Sequence, residues 1–488
     1  MPRLSAVDQA FLLLETHDRP MNIGGLFVLA PPKGAHRDFA GRLVRTMLRR
    51  PVGPPFSYRL QPGPVPALWS LVEDTQMDPV PQVLRHRLPR GTDLQGLFRE
   101  LCRLHVQPLP RDQPMWEQHV FTGLAGGRVA LYFKTHHAMI DGIGFLNLLN
   151  TMFTESPREH LPRALWEGLR HFQPPTGAKP AKASGAAAWL QPLDDARRTG
   201  TDMLRLFWHQ GLRDLGLGRG LATPFVTTPN VLKAAPSPNR VLAHCSLPLA
   251  GVRRLAVAGG AKINDVMLTL IDMAMHRYLD ERGITVDRPL VADVPVALGD
   301  HGGTGNRITI LQVPMGRPRV APAQRLADVM RETGQMKREM RDLDGSALTL
   351  YSILGHSIAS TIESLGLREL PMLANVVISN PAGLEKRVYF NGAAVELALP
   401  ISVVAHHQVL NITITTYVDA LHLTFIALRE AIPDLQRLAD YTAEAATDLA
   451  ADLARARRRA PTARRRKAAV GAARQPSGRR SPRHVAVR

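Results

Sequence analysis

Leu131–Phe145, LYFKTHHAMIDGIGF, constrains the fold more than any other stretch of this chain. Val129–Thr135 is β-branched, aromatic or otherwise strand-compatible, which suits a buried strand of about 7 residues. Beyond Asp141, Ile143, Leu146, Leu149 and Phe153 recur every three or four positions, the period of one helix face. A buried strand is therefore expected to pass through a short loop into a helix, a junction where ligands often bind. Successive side chains on a strand point to opposite faces, so His136 and His137 do not aim at the same target. One can enter a cleft while the other packs or orients.

The chemistry that uses such a set is general base catalysis. A neutral imidazole, with a pKa near 6.5, can take the proton of a hydroxyl as its oxygen attacks a carbonyl, worth roughly 10² to 10⁴ in rate. A nearby carboxylate would fix the ring or its loop. Asp141 equally reads as the cap of the helix it precedes, and local sequence leaves both roles open. A metal site made of His136, His137 and Asp141 is disfavoured, because neighbouring histidines point apart and no further ligand cluster is evident. No metal is expected.

HHAMIDG resembles the HHxxxDG signature of the CoA-dependent acyltransferase superfamily, which includes chloramphenicol acetyltransferase, carnitine acyltransferases and peptide-synthetase condensation domains. Further ordered blocks narrow the resemblance to the bacterial wax ester synthase/diacylglycerol acyltransferase family. They are LSAVDQAFLLLETHDRPMNIGGLFVL, the Pro114, Met115 and Trp116 block, INDVMLTLIDMAMHRYL, GNRITILQVPM, VVISNPAG with YFNGAAV, and LNITITTY. Together they run from about Leu4 to about Leu453.

The resemblance implies an α/β, two-lobed, chloramphenicol acetyltransferase-like architecture with the active site in a channel between lobes. It implies transfer of a fatty acyl group from acyl-CoA, as co-substrate and with no cofactor, to diacylglycerol or a long-chain alcohol. His137 would be the general base, and His136 and Asp141 would orient the motif loop, which Gly142 closes. Asn264 and Asp265 would support the site, although both also suit a helix cap. Ser379 and Asn380 would donate hydrogen bonds to the thioester carbonyl or its oxyanion, although Ser-Asn before Pro is also an ordinary turn. The family's turn reads SNVPGP, whereas this chain has Ser379, Asn380, Pro381, Ala382, Gly383 and Leu384.

In chain order, alternating strand-like and helix-like segments to residue 175 suggest an N-terminal α/β lobe carrying the motif. Trp116, a large aromatic, reads as core. Residues 176–240 read as an inter-lobe linker, Pro-, Ala- and Lys-rich at PPTGAKPAKASGAAA, with one helix in RRTGTDMLRLFWHQGLRDLGLG. A second lobe spans 241–454, opening with a strand at VLAHCSLPL and closing with a helix from about Asp434. His406 and His407 lack Asp and Gly at the motif offset and read as structural or cleft-lining.

At 488 residues and 45% hydrophobic composition, the chain can bury sizeable cores. Its 2 cysteines offer no disulfide framework, suit a reducing cytoplasm and sit in no nucleophile motif. No signal peptide and no run of about 18 apolar residues is evident, so the expected location is cytoplasmic and peripheral, on the inner membrane face or lipid inclusions. From Arg455 to Arg488 there are 12 Arg and 1 Lys without an acid, which leaves +6 of the net +19 to the body. That 455–488 tail reads as disordered, as either a solubilising appendage or an attachment to anionic lipid. No specific nucleic acid is expected. Two other functions fit the residues: acylation of a different hydroxyl acceptor, and a non-catalytic protein that coats lipid inclusions or binds acyl-CoA. The sequence leaves the oligomeric state open.

Overall fold

The computed structural model describes residues 4–35, 38–63, 69–140, 142–159, 163–171, 191–218, 220–225, 228, 231–297, 308–367, 369–381 and 383–472. The N-terminal half contains α1 (Ala6–Leu14), β1 (Asn22–Ala30), α2 (Phe39–Leu48), β2 (Tyr58–Pro62), β3 (Trp69–Glu73), β4 (Val83–Thr92), α3 (Leu94–His105), β5 (Trp116–Leu124), β6 (Val129–His136) and α4 (Gly142–Met152). After α5 (Gln191–Asp214) come β7 (Arg240–Pro248), α6 (Leu249–Gly259), α7 (Ile263–Asp280), β8 (Val291–Ala297), β9 (Ile308–Pro314), α8 (Pro322–Asp342) and α9 (Gly345–Ser364). The chain then adds β10 (Val376–Ser379), β11 (Tyr389–Phe390), β12 (Ala393–Ile401), β13 (Leu410–Tyr417), β14 (Ala420–Leu428) and α10 (Leu435–Ala472).

Two six-stranded sheets organise these elements, in the orders β11-β12-β1-β6-β5-β4 and β7-β14-β13-β10-β8-β9, with β2 and β3 as a separate hairpin. The motif strand β6 is central in the first sheet and buried along its whole length. Its alternating side chains divide between two cores, as the period of a strand requires. Leu131 and Phe133 pack with Phe27, Trp116 and Trp166 in the first lobe. Ala130 and Tyr132 face the opposite way, into a core that includes Leu26, Leu97 and Leu101 and continues into the second lobe. Trp116 is core, as expected: it is buried, and its indole N–H donates to the Phe56 carbonyl at 2.9 Å. In the second lobe Val266, Leu270, Ala274 and Tyr278 of α7 are all buried, which matches their four-residue spacing.

Three features differ from the sequence-based division. The first lobe is not built from residues 1–175 alone. β12 pairs antiparallel with β1, with Gly24 opposite Ile401, and brings β11 with it. Local pattern does not name the sheet that β11 and β12 join, because strand pairing at that separation is a tertiary choice. The expected linker of 176–240 is also partly built into the second lobe: α5 packs on α9, and Gln210 Nε2 donates to Tyr351 Oη at 2.7 Å. The stretch PPTGAKPAKASGAAA lies outside the described residues.

Finally, the tail expected to be disordered from residue 455 is helical as far as Ala472, in continuation of α10. Leu435, Leu438, Leu449 and Leu453 are buried, so a packed helix already exists for Ala and Arg, both strong helix formers, to extend. Residues 473–488 lie outside the description. Among the described residues no helix is long and apolar enough to cross a membrane.

Candidate active site

β6 ends at His136, and the two histidines diverge there. The His137 amide donates to the Met21 carbonyl at 2.8 Å, which fixes the loop against the start of β1. Its ring stacks on Phe11 of α1, with centroids 4.1 Å apart and planes 15° from parallel. Burial, aided by neighbouring His136 and opposed by an interaction with its own backbone, lowers the His137 pKa to about 4. At neutral pH the imidazole is therefore uncharged.

His136 turns the other way and is buried. Its Nδ1 accepts from the Ala138 amide at 3.1 Å, and its Nε2 lies 3.5 Å from Glu15 Oε1. Glu15 also accepts from the Met21 amide at 3.1 Å and from Arg111 at 3.0 Å. Burial alone would raise the Glu15 carboxyl, but His136, Met21 and Arg111 together hold it near 2. A carboxylate from the end of α1 thus faces the first motif histidine. Asp141 lies outside the described residues, and Gly142 appears as the first residue of α4.

His137 lines a cavity of about 440 Å³ between the lobes. The wall is mostly apolar and includes Phe11, Leu14, Ile23, Phe145 and Leu149 from the first half of the chain. Gly25 also lines it, and a side chain there would meet Phe145 at 2.7 Å. From the second half come Ser379 and Asn380 and, on one face of β13, Asn411, Thr413 and Thr415. Ser379 Oγ donates to Thr413 Oγ1 at 3.1 Å, Thr413 donates to Asn411 Oδ1 at 3.3 Å, and Asn411 Nδ2 donates to Ser402 Oγ at 3.3 Å. A hydrogen-bonded ladder therefore crosses an otherwise oily wall.

The sequence-selected residues separate at this point. His137, Ser379 and Asn380 share the cavity. Asn264 joins them through Asn380, whose Nδ2 donates to Asn264 Oδ1 at 3.4 Å. Asp265 is buried and accepts from the Lys262 amide at 3.0 Å and from Thr333 at 2.8 Å, which is the work of a helix cap. The turn after Asn380 is held close to β13: a Cβ on Gly383 would lie 1.9 Å from the Thr416 carbonyl oxygen.

His406 lines the cavity and is also structural, with Nε2 at 2.5 Å from the Leu14 carbonyl and Nδ1 at 3.1 Å from Glu363. Among the described residues no group of three or more His, Cys, Asp or Glu could hold a metal ion.

Sequence reasoning missed several residues here. Phe11 and Glu15 lie in the opening block, whose spacing alone does not place them against the histidines. His356 of α9 lines the cavity with Nε2 3.6 Å from Asp293, which is fully buried on β8. Burial works against the charged imidazole, but hydrogen bonding and attraction to Asp293 lift the His356 pKa above its ordinary value. A charge inside the apolar pattern VADVPVAL was the available signal.

Residues 4–267 match the wax ester synthase/diacylglycerol acyltransferase catalytic domain, and residues 304–450 match the C-terminal domain of the same proteins. The chain belongs to the wax ester synthase/diacylglycerol acyltransferase family. It is an acyltransferase of lipid biosynthesis. A Mycobacterium bovis protein that bears the name diacylglycerol O-acyltransferase is 31% identical over 468 residues, covering 92% of this chain and 96% of that protein. A Mycobacterium tuberculosis protein with the same name is 30% identical over 483 residues, covering 92% and 97%.

Among solved structures, the wax ester synthase/diacylglycerol acyltransferase of Marinobacter aquaeolei shares the fold with a TM-score of 0.68 at 24% identity, over 93% of this chain and 100% of that one. The first condensation domain of the CDA synthetase does so at 0.56 and 18%, over 91% and 96%. The fold of this family member is the two-lobed, chloramphenicol acetyltransferase-like one.

Proposed function

We propose that the chain moves a fatty acyl group from acyl-CoA to the hydroxyl of diacylglycerol, of a long-chain alcohol, or of both, with His137 as general base. The observation that carries this reading is an uncharged imidazole in the wall of an apolar cavity between the lobes. An oily acceptor fits such a wall, and a base there meets a hydroxyl with little competing water.

His137 takes the hydroxyl proton as the oxygen attacks the thioester carbon. The C–O bond forms and the carbonyl pair moves onto oxygen. Asn380, and Ser379 if its hydroxyl turns from Thr413, supply donors to that oxyanion. Collapse breaks the C–S bond, and the imidazolium returns its proton to the CoA sulfur. His136, held by Glu15, positions the loop, and Asp141 and Gly142 complete it. Asn264 steadies Asn380, and Asp265 steadies α7. No acyl-enzyme is required. Cys102 and Cys245 are buried, and burial pushes both thiols up to about 12. The enzyme works on the cytoplasmic side, at a membrane or lipid-inclusion surface where its acceptors reside.

The test is thiol release from palmitoyl-CoA with dipalmitoylglycerol or hexadecanol as acceptor, comparing wild type with His137→Ala. Acceptor-dependent release that disappears in the variant is expected. Release that the variant retains would remove His137 from the chemistry.

A further inference from the structure

Two neighbouring helices of the second lobe are apolar on the side that faces away from the protein. α5 buries Met203, Leu206 and Gln210 against the body, while Leu204, Phe207 and Trp208 stand out at 73%, 51% and 68% exposure. At three- and four-residue spacings these three fall on one stripe. α9 repeats the arrangement with Leu350, Leu354 and Ile358, each a turn further along and each exposed. From Gly345 to Ile362 this helix contains no Asp, Glu, Lys or Arg. Its first acid, Glu363, turns inward to buried Arg19 at 2.7 Å. Gln210 and Tyr351 bind the two helices side by side, so their stripes form one surface. Scattered exposed apolar residues need no explanation, but a contiguous uncharged face on paired helices does.

The inner side of α9 identifies what meets the outer side. Thr349, Ser352, Ile353 and His356 line the cavity that holds His137. One helix thus separates an apolar cavity from an apolar outer face. Of the chain's formal charge of +19, +13 lies in residues 455–488 and +6 in the body, both of the sign complementary to anionic headgroups, and Arg205 stands exposed beside Trp208 on α5. Trp with Arg at the edge of an apolar stripe is the chemistry of a helix lying in a membrane interface.

We propose that the outer faces of α5 and α9 dock on an anionic phospholipid surface, with Trp208, Phe207, Leu354 and Ile358 entering the acyl boundary. The acceptor then passes from the lipid to the cavity behind α9. That last step rests on the acyl-transfer reading above; the docking does not.

Flotation of the full chain with mixed phosphatidylcholine–phosphatidylglycerol vesicles tests the docking, at low and at high salt. High salt removes attraction that is only electrostatic and leaves apolar insertion. Wild type is expected to float in both. Trp208→Glu/Leu354→Glu is expected to lose about tenfold or more of its partition at high salt, because binding scales with buried apolar area. Release of thiol from a short-chain acyl-CoA with a water-soluble alcohol, and the circular dichroism melt, should stay at wild-type values. If that variant misfolds, Leu204→Ser/Trp208→Ser serves in its place.

Flotation of the folded variant at the wild-type level would overturn the proposal, as would complete release of wild type by high salt. A change in sedimentation of the variant without a change in flotation would assign the face to contact between copies and overturn it too. If neither acceptor stimulates thiol release in wild type, the acyl-transfer reading fails while the flotation result still decides the docking.

Discussion

His137 combines two properties that act on each other: its ring lines a cavity, and burial holds it uncharged. His137→Ala should lower acceptor-dependent turnover by at least about 10² in a protein that still unfolds cooperatively in a circular dichroism melt. Because its folded pKa lies near 4, below the ordinary imidazole value, the base form persists as pH falls and is lost only near 4. The acid limb of kcat/KM should therefore lie near 4 in a pH–rate profile, and a limb near 6.5 would contradict a buried neutral base. The sign for stability follows from the same depression. Between about 6.5 and 4 the unfolded chain binds this proton first, so the contribution of His137 to folding declines as pH falls through that window.

Glu15 faces His136, so the proposed mechanism has it act through that ring rather than on substrate. Glu15→Gln should lower kcat about tenfold with KM nearly unchanged, the loss of one charge-assisted contact of about 1–3 kcal/mol. A pure rise in KM would place Glu15 at the substrate instead. The histidine pair was legible from its motif and its alternation on a strand. Glu15 was not, because nothing in local spacing brings the end of α1 to the end of β6.

Among elements, α9 lines the cavity and anchors residues from both halves of the chain. Through Glu363 it holds Arg19 and His406, and both carboxylate and guanidinium are almost fully buried. Arg19→Met should cost about 3–5 kcal/mol, read as a fall in the urea midpoint, because it leaves a buried carboxylate without its principal counter-ion. Arg19→Met/Glu363→Leu should cost less than the sum of the two single changes, since it removes both charges. The turn after β10 is similarly constrained. Gly383→Ala should destabilise by about 1–3 kcal/mol, because its Cβ would press on the Thr416 backbone, which cannot move without shifting β13. The sequence marked this turn as a departure from the family pattern. Its close approach to β13 became visible only once the strands were paired.

At the scale of the whole molecule, the two lobes are not separable lengths of chain. β12 completes the first sheet from the C-terminal half, and α3 of the N-terminal half packs on β7. Residues 1–240 and 241–488 expressed separately should therefore each show little amide-exchange protection, and co-expression should restore it. Independent folding of either half would contradict the shared core.

The sequence alone determined most of the elements and singled out His137 as the candidate base. Strand and helix periods follow from residue type within a few positions, and HHAMIDG placed two histidines at the strand end with opposite facing. It also determined the kind of fold, through ordered blocks that extend over most of the chain. Only the tertiary structure decided which sheet β12 joins, that Glu15 faces His136, that Asp265 serves as a cap while Asn264 reaches Asn380, and that α9 has the cavity on one side and solvent on the other. Each of these depends on contacts between residues far apart in the chain, whose free energy comes from burial and pairing in three dimensions and leaves no periodic trace along the sequence.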